Sequence, residues 1–297
     1  MKAKEMESLA AQHGLELEEK TIRINESGVD FQVAHASDRN GEHWILRMPR
    51  RKESMRHAVI EKQALEELQK VVSFQLPQWA VFSDELIAYK KLAGAPAATI
   101  DAELQAYVWK LDEQNVPADF YVSLGQVLAE LHDSPQKRFL EIGVETLSAE
   151  ELRSSMKRRI EWVKGRYHVN PQLLARWEKW LQNESIWPNY VGVRHGDLHP
   201  GHIMIDDAGQ VTGLIDWTEV SIGDVSIDFL SHYLLFGQEG LERLIEAYRM
   251  AGGKVWQGMA EHIIELHSAN AITVAEYANV SGLAEMEEAA KQMLAGG

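Results

Sequence analysis

The stretch that most limits what this chain can become is residues 191–217, VGVRHGDLHPGHIMIDDAGQVTGLIDW. A short apolar strand holding Val191 and Val193 runs into the polar loop His195-Gly196-Asp197-Leu198-His199-Pro200-Gly201-His202. The chain returns through Ile203-Met204-Ile205, turns at Asp206-Asp207-Ala208-Gly209, and a further strand, Val211 to Ile215, delivers Asp216 at its end. This alternation predicts Asp197, His202 and Asp216 on neighbouring strand ends, able to converge on one point. Two carboxylates and an imidazole together suit phosphoryl transfer, in which one carboxylate orients or deprotonates a hydroxyl while the other groups hold Mg²⁺ on nucleotide phosphates. A lone His-Gly-Asp is more often an ordinary loop. Here apolar strands flank it on both sides, three histidines share it, and an aspartate follows at a strand end.

Composition narrows the partners. The 297 residues carry a formal charge of -15, which argues against nucleic acid or an anionic membrane as partner and favours a cationic substrate. No apolar run approaches the length needed to cross a bilayer, and the polar start MKAKEMESLAAQHGL lacks the apolar core of a signal peptide. Cysteine is absent, so thiol nucleophiles, disulfides and Cys-based metal sites are excluded. A cytoplasmic monomer is the simplest expectation. A nucleotide user with this net charge needs local positive charge, and Arg47, Arg50, Arg51 and Lys52 are the best supply. The same cluster also reads as a solvated basic loop.

Along the chain, Glu5 to His13 predicts a helix closed by Gly14, followed by strands over Thr21 to Asn25 and Phe31 to Ala36. Asp38-Arg39-Asn40-Gly41 signals a hairpin, because Asn-Gly suits the positive φ of tight turns. Trp44 to Met48 is a strand stopped by Pro49, and Ser54 to Val71 an amphipathic helix with Ile60, Ala64, Leu65 and Leu68 along its stripe. Strands at Trp79 to Phe82 and Leu86 to Tyr89 complete five strands and one helix. The small-residue run Ala93 to Ala98 reads as a linker. Helices then dominate: Ala118 to His132, Ser148 to Val163 opened by a Ser148/Glu151 capping box, Pro171 to Leu181, Asp224 to Phe236, Gly240 to Met250, Val255 to Asn279 and Ala284 to Leu294. Asp224 is the expected N-cap of its segment, and Asp228 is expected to brace the central loop.

HGDLHPGH followed by LIDW resembles the catalytic and metal motifs of aminoglycoside-phosphotransferase-like antibiotic kinases, a family similar to protein kinases in fold. NESGVDF, WILRMPRR, WPNYVGVRHGDL, IDWTEV and AGGKVW are similar to stretches of the macrolide 2′-phosphotransferases, and the resemblance covers nearly the whole chain. It implies an α+β, two-lobe, protein-kinase-like fold with a small N-terminal antiparallel-sheet lobe and a larger, mainly helical C-terminal lobe. The implied bounds are a nucleotide-binding lobe over 1–92, an interlobe linker over 93–117, and a catalytic and acceptor-binding lobe over 118–297. Asp197 is the implied catalytic aspartate and Asp216 the main metal ligand. His202 stands where most of the wider family has Asn as second ligand, and imidazole is a less natural Mg²⁺ partner than an oxygen.

On the same resemblance Ser27 and Gly28 form a small-residue turn over the phosphates, and Arg47 stands where kinases usually have Lys. Glu61 would pair with Arg47 and fix it over the α- and β-phosphates, a task the guanidinium fork can perform. Tyr89 and Leu92 complete the implied nucleotide site, with GTP as donor or ATP in its place. The acceptor implied is the 2′-hydroxyl of the desosamine sugar of an erythromycin-like macrolide. Three rivals stay open: a kinase of the same fold acting on an aminoglycoside or a small alcohol such as choline or homoserine, a metallohydrolase built on His195, His199, His202 and Asp197, and a non-catalytic binding protein.

Overall fold

The computed structural model describes residues 1–26, 30–101 and 106–296. In chain order it holds helix α1 (Ala3–Gln12), strands β1 (Arg23–Asn25), β2 (Phe31–Ser37) and β3 (His43–Pro49), helix α2 (Ser54–Leu68), and strands β4 (Trp79–Phe82) and β5 (Ile87–Lys90). Three short strands follow, β6 (Ala95–Pro96), β7 (Ala98–Asp101) and β8 (Ala106–Trp109), then helices α3 (Ala118–His132), α4 (Gln136–Ile142), α5 (Ala149–Lys164) and α6 (Pro171–Gln182). Strands β9 (Gly192–Arg194), β10 (Ile203–Ile205), β11 (Val211–Leu214) and β12 (Ser221–Gly223) lead to helices α7 (Leu230–Met250), α8 (Met259–Ser268), α9 (Asn270–Ser281) and α10 (Ala284–Leu294). None of the described helices is long and apolar enough to cross a membrane.

Two compact units emerge. One comprises Met1–Asn115, Arg138–Val144 and Pro200–Val220, and the other Val116–Lys137, Glu145–His199 and Ser221–Gly297. The first therefore takes in residues 200–220, well beyond the stretch 1–92 expected to form the N-terminal lobe.

The first unit is built on an antiparallel sheet ordered β1-β2-β3-β5-β4. Its central strand β3 reads as a near-continuous apolar run because both faces are covered. Side chains alternate across a strand. Trp44, Leu46 and Met48 accordingly join Met6, Leu9 and Ala10 of α1 in one cluster, while Ile45 joins Phe31, Tyr89 and Ala58 of α2 in another. Helix α1, expected from the sequence, thus packs into the sheet's core beside the cluster that α2 joins. The expected Asp38–Gly41 turn is present, with Gly41 at φ +81° and Asp38 Oδ1 accepting from the N–H groups of Asn40 and Glu42. Residues 93–98, expected as a linker without periodicity, carry β6 and the start of β7. Strand β6 pairs with β10, which pairs in turn with β11.

The second unit is mainly helical. Trp177 and Trp180 of α6 are buried with Ile160 and Val163 of α5, Leu266, Ile272 and Ala275 of α8 and α9, and Leu294 of α10. The capping box at Ser148 and Glu151 is formed. The helix expected over Val255 to Asn279 is instead two helices, parted at Ala269. Ser268 at the break donates its hydroxyl to the Glu265 carbonyl and accepts from Trp177 Nε1, so a side chain meets groups the helix would otherwise present. Conversely, the segments expected at Asp224–Phe236 and Gly240–Met250 become a 3₁₀ turn over Val225–Phe229 and then α7, whose run is interrupted by the non-helical backbone of Gly237 (φ 64°, ψ -163°).

Helices α3 and α7 approach through Gly125, where a Cβ would stand 2.6 Å from the Ala247 carbonyl carbon and 2.7 Å from the Tyr248 nitrogen. Both obstacles are backbone and cannot swing aside. Gly125→Ala adds about 1 kcal/mol of helix propensity, but overpacking of this kind costs about 1–3 kcal/mol. We therefore expect the substitution to destabilise. Urea unfolding checks this, and a higher midpoint would show that the two helices can part freely.

Candidate active site

Strand β9 leads into the central loop and pairs antiparallel with β12. Beyond it the chain turns at Gly196 (φ +89°), which leaves His195 and Leu198 buried and Asp197 exposed. The Asp197 N–H donates to His195 Nδ1 at 3.3 Å. The expected brace is visible in atomic terms: Asp228 accepts from the His195 N–H at 2.9 Å through Oδ2 and from the Gly196 N–H at 2.8 Å through Oδ1. His132 Nε2 lies 3.1 Å from the same Oδ2. Burial alone would raise the Asp228 pKa, but the hydrogen bond from His132, with His195 and the Gly196 N–H, holds it below the usual carboxylate range. Asp224 caps the 3₁₀ turn by accepting from the Ser226 N–H at 2.9 Å, and its other oxygen is 2.7 Å from His262 Nε2.

In the first unit Arg47 sits centrally in β3, opposite Val33 and Ile87. Its Nη1 donates to Glu61 Oε1 at 2.6 Å, and the two side chains are only 8% and 1% exposed. The pair expected from the sequence is thus formed and buried. The Phe31 ring lies 4.5 Å from the guanidinium carbon and the Trp79 ring 5.7 Å. Desolvation opposes the charge on Arg47, yet Glu61, with Tyr89 and Asp216 nearby, keeps its pKa above the ordinary arginine value. Burial raises the Glu61 carboxyl above its ordinary value despite Arg47. Burial likewise pushes the Tyr89 hydroxyl up, and Tyr89 and Leu92 share one apolar cluster with Phe31, Ile45 and Met204.

Strand β11 delivers Asp216 in a left-handed conformation, φ 61°, unique among the described non-glycine residues. Such backbone costs of order 1–3 kcal/mol and needs surroundings that enforce it. Trp217 supplies them. Fully buried, it stacks on Phe74 at 6.4 Å and donates Nε1–H to the Leu214 carbonyl at 3.2 Å. Asp216 Oδ2 is 3.6 Å from His202 Nε2, so these two expected metal ligands are brought together. Ser27 and Gly28, expected over the phosphates, lie outside the described residues.

The residues alone did not reveal four neighbours. Thr218 donates to Asp216 Oδ1 at 2.9 Å and accepts from Arg47 Nη2 at 3.4 Å, linking the buried cation to the exposed carboxylate. Phe31 and Trp79 cover Arg47 from strands distant in sequence. His132, which reads as no more than the end of a helix, contacts Asp228; its one signal is a histidine closing an otherwise apolar helix face.

Comparison with known proteins bears on this arrangement. The model of the phosphotransferase enzyme family (APH) matches residues 21–262. The uncharacterized protein YcbJ of Bacillus subtilis (strain 168) is 39% identical over 274 residues, covering 92% of this chain and 90% of YcbJ. The apoenzyme structure of macrolide 2′-phosphotransferase MphH from Brachybacterium faecium superposes with a TM-score of 0.92 at 33% identity, covering 98% of this chain and 97% of that one. A type I macrolide 2′-phosphotransferase gives 0.90 at 35% identity, covering 98% and 96%. With these likenesses spanning nearly its whole length and a kinase-like α+β fold in common, the chain belongs to the phosphotransferase enzyme family.

Proposed function

We propose that the protein transfers the γ-phosphate of GTP, or of ATP in its place, to the 2′-hydroxyl on the amino sugar of a macrolide antibiotic. The observation that carries this reading is the end-to-end likeness to two macrolide 2′-phosphotransferase structures at 33% and 35% identity. Phosphoryl transfer passes through a loose transition state and asks the protein chiefly for positioning and charge. In this reading Asp197, exposed on a loop held by its main chain, orients the acceptor hydroxyl and takes its proton late. Arg47, held by Glu61, neutralises charge on the non-transferred phosphates, and the base lies against Tyr89 and Leu92.

His202 and Asp216 fit a divalent cation. Their donor atoms are 3.6 Å apart, and the Asp216 side chain is about half exposed. They would hold Mg²⁺, whose contribution when bound is to offset the charge of the nucleotide phosphates. The high net negative charge suits an acceptor bearing a protonated dimethylamino group beside the reacting hydroxyl.

Mass spectrometry of erythromycin incubated with the protein, Mg²⁺ and GTP or ATP tests the proposal. One added phosphate on erythromycin, abolished by esterifying the 2′-hydroxyl, is the expected result. Phosphate on another hydroxyl, or turnover of kanamycin with none of erythromycin, would leave the family assignment standing and remove the macrolide.

A further inference from the structure

Tyr248 lies near the C-terminal end of α7, almost fully buried, with its hydroxyl 3.1 Å from His132 Nδ1. Burial pushes this hydroxyl well above its ordinary pKa, so it remains a neutral donor. A singly protonated imidazole carries its proton on either nitrogen, and the partners of the two nitrogens decide which. At Nε2 the partner is Asp228, an ionised carboxylate that can only accept, so Nε2 must donate. Nδ1 is then bare, and the Tyr248 hydroxyl donates to it. A directional line of hydrogen bonds therefore runs from Tyr248 through His132 and Asp228 to the His195 and Gly196 amides.

We propose that Tyr248 is a positioning residue for phosphotransfer: it holds His132 in the tautomer that donates to Asp228, and so keeps the 195–196 main chain, and Asp197 after it, in place. Nothing in this line touches substrate. The link to catalysis rests on the role assigned to Asp197 above, whereas the link to the loop does not.

Tyr248→Phe removes one oxygen and keeps the ring, which packs 5.4 Å from His132 and 5.3 Å from Phe229. Losing one buried hydrogen bond is expected to speed amide exchange at His195 and Gly196 and to lower kcat, each by about 5–10-fold, with nucleotide KM unchanged. His132→Gln puts an amide N–H₂ toward Asp228 with no tautomer to choose. In the H132Q background, Y248F should therefore change exchange at 195–196 by less than about twofold, a non-additivity that simple loss of packing would not produce. Unchanged exchange at 195–196 in Y248F, a uniform rise across the whole chain, or additive effects in the double variant would each overturn the proposal. Should Y248F fail to fold, H132Q decides alone: exchange close to wild type supports the donor role, and faster exchange refutes it. If wild-type protein phosphorylates no acceptor, the function proposed above falls while the exchange measurements still judge Tyr248.

Discussion

Asp197→Asn should lower the kcat of phosphotransfer by about 10²–10⁴-fold, the usual cost of losing a general base, and leave nucleotide affinity nearly unchanged. The loop's geometry should survive the change. Asp228 grips it through the His195 and Gly196 N–H groups, and the Asp197 contact to His195 uses main chain, so the substitution alters only the exposed carboxylate. Asn keeps the shape and loses the proton acceptor. Single-turnover kinetics alongside nucleotide titration separates the two quantities. Turnover near wild type would remove Asp197 from the chemistry, and loss of nucleotide binding in step with kcat would move it to the metal.

The second large effect concerns stability. Glu61→Gln would strip the counter-charge from a guanidinium that is 8% exposed and covered by Phe31 and Trp79. Breaking a buried pair from one side typically costs about 3–5 kcal/mol, because the remaining charge stays in a poorly solvating place. Asp216 offsets part of this through its own charge on Arg47, so the lower end of that range is the expected outcome. Replacing both partners with apolar residues, R47M together with E61L, should cost far less. Denaturant unfolding of the three proteins checks this. A loss in E61Q below about 1 kcal/mol, the scale of a surface pair, would mean that Arg47 reaches water in solution.

Much of this architecture can be read from the residues. The central loop stands out because its polar groups are packed between apolar strands, and β3 because an apolar run on both faces marks a covered central strand. The Arg47–Glu61 pair is implied by the resemblance to kinases; the residues by themselves offer only a cation in a strand and an acid bordering the stripe of the next helix. What escaped had physical reasons. The role of Asp228 as a brace is expected from the sequence but its points of attachment are not, because it grips main-chain N–H groups, which every residue except proline possesses. The break at Ala269 uses a serine and a tryptophan ninety-one residues apart, without the glycine or proline that usually marks a helix end. Phe31 and Trp79 meet over Arg47 only once four strands, β2, β3, β5 and β4, have paired.

That the first unit needs residues 200–220 has a consequence for how the chain is made. Met204 fills its core, β10 pairs with β6, and the Gln75 carbonyl accepts from the Leu214 N–H. None of these partners exists when Asn115 leaves the ribosome. At about 5–20 residues per second the missing strands arrive roughly 5–20 s later. During that interval the apolar side of β6 and the Tyr89–Leu92 cluster wait without their cover. The nascent N-terminal segment should therefore be a client of chaperones until residue 220 has emerged, and a chain cut at 115 should be captured by them instead of settling into the sheet it encodes.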